Sequence, residues 1–136
     1  MRFVLDTNAL LISIAKKSPY RPIFDALIEG KFTLLLTNEI LTEYTEVIES
    51  KSNSLVASNI AELLVKLKNI DFVNVYFQWN LIAEDDDDNK FVDAFVSGRA
   101  DYLVTNDRHF NELTQISFPK VNIMKTKQFL ALISTL

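Results

Sequence analysis

Short apolar runs alternate along the chain with amphipathic helical patterns, and this alternation limits the possible folds more than any other feature. Each run has the length of a β-strand, and the runs are RFVLD (2–6), KFTLLLTN (31–38), DFVNVYF (71–77), DYLVT (101–105) and VNIMK (121–125). Strands that alternate with helices predict a parallel sheet with helices on both faces. We therefore expect a single domain over residues 1–136, a three-layer α/β/α sandwich around a central parallel five-stranded sheet.

Start and stop signals bound the helices of this predicted fold. The segment from Asn8 to Lys17 predicts a first helix with two lysines at its C-terminal end. Thr37 or Asn38 can cap the helix that follows the second strand. Gly98 ends the helix that precedes the fourth strand.

Composition excludes several classes of chemistry. The chain has no cysteine, which excludes thiol catalysis, Cys-ligated zinc and disulfides, and its two glycines cannot build a glycine-rich phosphate loop. No apolar run is long enough to span a membrane, and no leader-like segment opens the chain, so we expect a soluble, cytoplasmic protein without membrane contact. The formal net charge is -4. A metal ion or a local basic patch would therefore have to offset the acidic field if the protein handles nucleic acid.

Acidic residues follow the predicted strands at their carboxyl ends. Asp6 ends the first strand, Glu43 lies about one turn into the helix after the second, Asp85–Asp88 lie after the third, and Asp107 lies just past the fourth. In a parallel sheet these positions meet at one edge, where ligands bind. Gathered carboxylates repel one another unless a cation lies among them, and Mg²⁺ and Mn²⁺ prefer oxygen ligands. The pattern therefore predicts a divalent metal site.

Each acid also has a purely structural interpretation. Asp6 could cap the first helix, Asp88 could favour the positive end of a helix dipole, and Asp107 could form a turn. Glu43 could belong to a solvated helix face. Asp93, five residues after Asp88, is a candidate neighbour of the same site.

Other polar and aromatic side chains near these acids are interpreted as ordinary surface or core residues. His109 is the only histidine and lies in a predicted turn, so we expect it at the surface. Lys90, Arg99 and Arg108 could meet RNA phosphates, but we interpret them as solubilising charges. Trp79 is interpreted as a core or interface ring.

Four pieces of the chain together resemble the PIN-domain family. They are VLDTNALL at Asp6, TNEILTEYTEVI at Glu43, DDDDNKFVDAF at Asp88 and ADYLVTND at Asp107. The resemblance is strongest to the branch of toxins from toxin–antitoxin pairs. It implies an endoribonuclease that depends on Mg²⁺ or Mn²⁺, with these four acids as catalytic residues and metal ligands. The implied partners are an RNA substrate and a small antitoxin protein, with a homodimer possible.

The resemblance also implies supporting positions. Asn8 and Thr105 match polar positions that brace the site, and Asn8 could in addition cap the first helix. Asp85 matches the first acid of an Asp-x-x-Asp pattern, Asp87 is the alternative to its neighbour Asp88 as ligand, and Asp93 matches an often acidic helix position. The chain departs from the family pattern between Thr105 and Asp107, where an asparagine replaces the usual glycine or basic residue.

Two other functions stay open from the sequence. A phosphoacceptor signalling module with a flavodoxin-like sheet also gathers acids at this edge, and Thr105 and Lys125 fit that class. However, its phosphorylated aspartate should end the third strand, where the chain reads NVYFQ, and Asp6 stands alone where paired acids would be expected. The other alternative is a PIN-like interaction module without catalytic activity.

Overall fold

The sheet at the centre of the protein has five parallel strands. The computed structural model describes residues 1–82 and 88–136. The strands are β1 (Arg2–Leu5), β2 (Thr33–Leu36), β3 (Ile70–Phe72), β4 (Tyr102–Val104) and β5 (Ile123–Met124). Their order is β3-β2-β1-β4-β5, and every neighbouring pair is parallel.

Helices flank this sheet. They are α1 (Thr7–Ile14), α2 (Arg21–Ile28), α3 (Asn38–Lys51), α4 (Ser54–Lys66), α5 (Asn89–Ser97) and α6 (Thr126–Ile133), and a 3₁₀ helix spans Arg108–Gln115. Helix α5 contacts β1, β2 and β4, whereas α1 packs against α2 and α3. The predicted α/β/α sandwich with a central five-stranded parallel sheet is confirmed.

The central strands are buried on both faces, which explains their unbroken apolar sequence. Residues 3–5 of β1 and 34–36 of β2 are completely inaccessible to solvent, as expected for a parallel sheet covered by helices. Three aromatic rings extend this core, since the centroid of Phe3 lies 5.5 Å from that of Phe32 and 4.6 Å from that of Phe129. These contacts fix α6 against the sheet.

Several predicted elements are longer than the observed ones, and the differences at β3 and α1 have structural reasons. Strand β3 ends at Phe72 rather than Phe77, because it is an edge strand and its only described partner, β2, ends at Leu36. Helix α1 ends at Ile14, before the two lysines. Its last carbonyls are bonded by side chains from the next segment: Ser18 Oγ donates to Ile12 O and Arg21 to Ile14 O.

Two predicted helix signals are confirmed. Thr37 caps α3, since its hydroxyl accepts a hydrogen bond from the Ile40 amide at 3.1 Å. Gly98 is the C-cap of α5. None of the helices in the described ranges combines the length and apolar character needed to cross a bilayer.

The strand order argues against the phosphoacceptor alternative. A flavodoxin-like sheet has the order 2-1-3-4-5, with its third strand inside the sheet. Here β3 is at the edge, beside β2. Two strands, β2 and β1, therefore separate the end of β3 from β4 and Thr105, whereas a phosphoacceptor aspartate at the end of β3 would need to lie close to Thr105.

Candidate active site

Asp6 is more buried than the other three predicted metal ligands, Glu43, Asp88 and Asp107. It lies directly after β1 with only 6% of its surface exposed. One carboxylate oxygen accepts a hydrogen bond from the Ala9 amide at 2.7 Å, which makes Asp6 the N-cap of α1, and the other accepts one from the Thr105 hydroxyl. The capping interpretation of Asp6 is thus confirmed. Asn8, by contrast, is exposed and does not cap the helix.

The environment raises the pKa of Asp6 above its ordinary value. Burial is the main cause, and the negative charges of Asp107 and Glu43 add to it. The hydrogen bonds from Thr105 and Ala9 oppose the shift. This electrostatic coupling means that Asp6, Glu43 and Asp107 are close together, as the parallel topology predicts.

Thr105 joins Asp6 to Asp107. Its hydroxyl donates to Asp6 and accepts from the Asp107 amide at 2.9 Å. The next residue, Asn106, makes two hydrogen bonds to Thr126, one to its hydroxyl at 2.7 Å and one from its amide at 3.1 Å. Asn106 therefore fixes the end of β4 against the start of α6, which is a structural reason for an asparagine at this position.

Asp88, Asp107 and His109 bring their side chains together. His109 Nδ1 is 3.4 Å from an Asp107 oxygen and 3.9 Å from an Asp88 oxygen. Within the described ranges, these three residues form a group whose potential ligand atoms all lie within 4.8 Å of one another. The surface assignment of His109 is correct only in part, because 34% of its side chain is exposed while its imidazole lies beside these two acids. Asp107 caps the 3₁₀ helix through the His109 amide, and this cap turns the chain back towards the site.

Asn89 holds the start of α5 in place, a role that sequence reasoning missed. Its side chain is buried and accepts from the Ile82 amide at 2.9 Å while donating to the Ile82 carbonyl at 3.0 Å. These two bonds join the chain on both sides of the acidic run. They fix Asp88, which directly precedes Asn89. Asp85 and Asp87, two of the predicted supporting residues, lie outside the described residues.

Glu43 lies on α3 between two donors. One of its oxygens accepts a hydrogen bond from the Thr7 hydroxyl, and the other is 2.8 Å from the Lys90 ammonium. Only 13% of the Lys90 side chain is exposed. The interpretation of Lys90 as a solubilising surface charge is therefore wrong, because its charge is directed at a candidate site residue.

Tyr44 packs the helix that carries Glu43 against the end of β1. Its side chain is completely buried, and its hydroxyl donates to the Leu5 carbonyl at 2.5 Å. Burial, together with the charges of Asp6 and Glu43, raises the pKa of Tyr44 well above its ordinary value. The phenol therefore stays neutral and serves as a fixed hydrogen-bond donor.

Asp93 is buried in α5 and binds the segment that follows β3. Its carboxylate accepts from the Trp79 amide at 3.0 Å. Asp93 lines a cleft of about 230 Å³ together with Glu39 and Lys90. Its pKa is raised, mainly by burial and further by the charge of Glu39. Asp93 does not belong to the group formed by Asp88, Asp107 and His109.

The donor atoms fit a divalent cation. Asp88 and Asp107 offer carboxylate oxygens and His109 an imidazole nitrogen, and Mn²⁺ and related ions accept both. The buried Asp6 adds negative charge beside them. The neighbouring donors Thr105, Asn89 and Lys90 hold the candidate acids or their helix in position, a role that the outer partners of metal ligands commonly have.

Comparisons with known proteins agree with this geometry. Two solved structures share the fold: VapBC2 from Rickettsia felis bound to a DNA fragment from its promoter, and VapBC-1 from nontypeable Haemophilus influenzae. The first has 16% identity and a TM-score of 0.62 over 92% of this chain and 98% of the other. The second has 17% identity and a TM-score of 0.59 over 93% and 99%. No curated protein sequence matches. A family model described as the PIN domain matches residues 2–109, and the chain therefore belongs to the PIN domain family.

Proposed function

We propose that this chain is a metal-dependent endoribonuclease and the toxin of a type II toxin–antitoxin pair, with one nuclease domain over residues 1–136. The observation that carries the proposal is the meeting of Asp6, Glu43, Asp88 and Asp107 at one edge of the sheet from four separate segments. Membership of the PIN domain family supports it, because PIN domains are generally nucleases.

The proposed roles follow from the contacts of each side chain. Asp88 and Asp107 hold Mg²⁺ or Mn²⁺, with Asp6 and Glu43 as the further acids of the site. A divalent ion bound there activates water and neutralises negative charge on the phosphodiester that is cleaved. The Thr105 hydroxyl holds one oxygen of the Asp6 carboxylate, and the Lys90 ammonium fixes one oxygen of Glu43.

Charge balance supports a metal-assisted mechanism over simple phosphate binding. Polyanionic RNA approaches a protein of net charge -4 at an edge that carries several carboxylates. A divalent ion held by these acids would offset the local repulsion between the carboxylates and the substrate phosphates. Lys90 contributes a further positive charge beside Glu43.

A ribonuclease assay with purified protein tests this proposal. Cleavage of a mixed RNA pool is measured with Mg²⁺, with Mn²⁺ and with chelator, for the unmodified chain and for Asp88→Asn and Asp6→Asn. Asp25→Asn is the control, because Asp25 is an acid in an exposed ion pair with Arg21 on α2, a helix that carries none of the candidate acids. We expect metal-dependent cleavage that falls more than about 100-fold in the two site variants and is unchanged in the control. Cleavage that persists in chelator or in both site variants would contradict the proposal.

Expression in a bacterial host tests the toxin role separately. The fold shared with VapBC structures supports a small antitoxin partner. We expect induction to stop growth, and Asp88→Asn to abolish the effect at equal protein level. Equal growth arrest by the unmodified chain and by Asp88→Asn would show that toxicity does not depend on the candidate site. RNA cleavage without growth arrest would reject the toxin role and leave the ribonuclease proposal standing.

A further inference from the structure

The side chain of His109 lies beside two acids of the candidate site. Its Nδ1 atom is 3.4 Å from an Asp107 oxygen and 3.9 Å from an Asp88 oxygen. Both distances exceed the roughly 2.7–3.2 Å of an ordinary N–H···O hydrogen bond. Two ligands of one six-coordinate ion, bound at about 2.1 Å, lie about 3 Å apart when adjacent and about 4.2 Å apart when opposite. The spacing of this group therefore suits a shared ion better than direct hydrogen bonds.

The backbone around Asp88 supports the same reading. Asp88 is the N-cap residue of α5 but makes no side-chain cap hydrogen bond. Asp6, Asp107, Thr37 and Asn53 all cap their helices with their side chains. The Asp88 carboxylate is instead directed towards His109, across the gap between α5 and the 3₁₀ helix.

An imidazole changes which ion such a site prefers. Mg²⁺ binds oxygen ligands almost exclusively and keeps several waters, whereas Mn²⁺ and the later divalent ions also accept nitrogen. We propose that His109 Nδ1 is a ligand of the divalent ion held by Asp88 and Asp107, and that it makes this site select Mn²⁺ over Mg²⁺. This inference rests on the metal dependence proposed above and adds a ligand that is not an acid.

The single histidine of the chain makes a direct spectroscopic test possible. Mn²⁺ is added to tag-free protein without RNA, and pulsed electron paramagnetic resonance is used to look for coupling between the bound ion and an imidazole ¹⁴N nucleus. We expect the coupling in the unmodified protein and its loss in His109→Gln. Asn111→Ala is the control, because Asn111 is an exposed residue of the same 3₁₀ helix. Thermal melts establish that each variant is folded.

Calorimetric titration with each ion measures the selectivity. We expect the unmodified protein to bind Mn²⁺ more tightly than Mg²⁺, and His109→Gln to lower Mn²⁺ affinity by about 10–100-fold while changing Mg²⁺ affinity much less. Bound Mn²⁺ without ¹⁴N coupling, an unchanged Mn²⁺ affinity in His109→Gln, or no Mn²⁺ binding would overturn the inference.

Comparison with the ribonuclease assay distinguishes the two proposals. Metal-dependent RNA cleavage without ¹⁴N coupling would reject the role of His109 and leave the proposed function standing. Histidine-coupled Mn²⁺ in a protein that cleaves no RNA with either ion would support the ligand set and reject the nuclease.

Discussion

Replacing Asn89 with alanine should weaken the fold and the candidate metal site together. The Asn89 side chain makes two buried hydrogen bonds, one from the Ile82 amide and one to the Ile82 carbonyl. In Asn89→Ala the amide and the carbonyl of Ile82 both lose their hydrogen-bond partner. The segments before and after the acidic run are then no longer joined by these two bonds. Asp88, the adjacent residue, would then be held less firmly beside Asp107 and His109.

The size of the effect follows from these two bonds. A buried polar group that loses its hydrogen-bond partner costs about 1–3 kcal/mol, with the lower values where the chain can relax towards solvent. The higher helix propensity of alanine offsets a few tenths of a kcal/mol. We expect the free energy of unfolding to fall by about 2–3 kcal/mol. At an unfolding entropy of about 2.1 cal/mol/K per residue, this corresponds to a Tm about 7–10 °C lower.

Urea denaturation and Mn²⁺ titration measure the two consequences. The matched control is Asn53→Ala, which removes a single exposed N-cap hydrogen bond of 2.9 Å from α4, a helix without candidate site residues. The control should lose about 1 kcal/mol and keep its Mn²⁺ affinity. Asn89→Ala should lose more stability and bind Mn²⁺ about 10-fold more weakly or worse. Equal losses of stability in the two variants, or unchanged Mn²⁺ affinity in Asn89→Ala, would refute the reasoning.

Three further substitutions test other contacts. Asp6→Asn should raise the free energy of unfolding at neutral pH without metal, because the raised pKa of Asp6 means that its ionised form opposes folding. This gain in the free energy of unfolding should shrink as the pH falls through the folded-state pKa towards the ordinary pKa of 3.8. Paired urea titrations that show the same gain at every pH would contradict the prediction. Tyr44→Phe should lower the free energy of unfolding by about 1–2 kcal/mol in urea denaturation, because the buried Leu5 carbonyl loses its 2.5 Å hydrogen bond. An unchanged free energy of unfolding would mean that the hydroxyl does not contribute to stability. Gly98→Ala should lower the free energy of unfolding by about 1–3 kcal/mol in the same assay. The added Cβ would lie 2.5 Å from Leu35 Cδ1 and 2.9 Å from Val73 Cγ1, and an unchanged stability would show that these side chains can move aside.

The fold could be predicted because its main signals are local in the sequence. Continuous apolar runs such as residues 3–5 and 34–36 are typical of buried parallel strands, and the helices between them carry caps such as Thr37. Topology then determined which acids meet, since the carboxyl ends of parallel strands share one edge. The electrostatic coupling of Asp6 with Glu43 and Asp107 agrees with that placement.

The predictions that were wrong depended on partners from distant parts of the chain. The end of β3 at Phe72 is determined by the length of its neighbour β2, which the local pattern of residues 71–77 cannot show. The interpretation of Lys90 as a solubilising charge is wrong because its partner, Glu43, lies 47 positions earlier in the chain. For His109 the predicted turn indicates the surface, and the sequence does not show that its imidazole also lies near Asp88. A single sequence shows that a residue is polar, but not which side chain it meets.

The contacts of the four acids suggest how the fold tolerates so much like charge. Asp6 is held by Thr105 and Ala9, and Glu43 by Thr7 and Lys90, so hydroxyl, amide and ammonium donors compensate the buried carboxylates. Asp88 and Asp107 lie instead next to His109, the group whose spacing fits an ion. Donors of the protein therefore compensate Asp6 and Glu43, while Asp88 and Asp107 lie at the ion site proposed above. The raised pKa of Asp6 indicates that this compensation is incomplete without metal. Asp6→Asn should therefore stabilise the fold while weakening metal binding, whereas Asn89→Ala should weaken both.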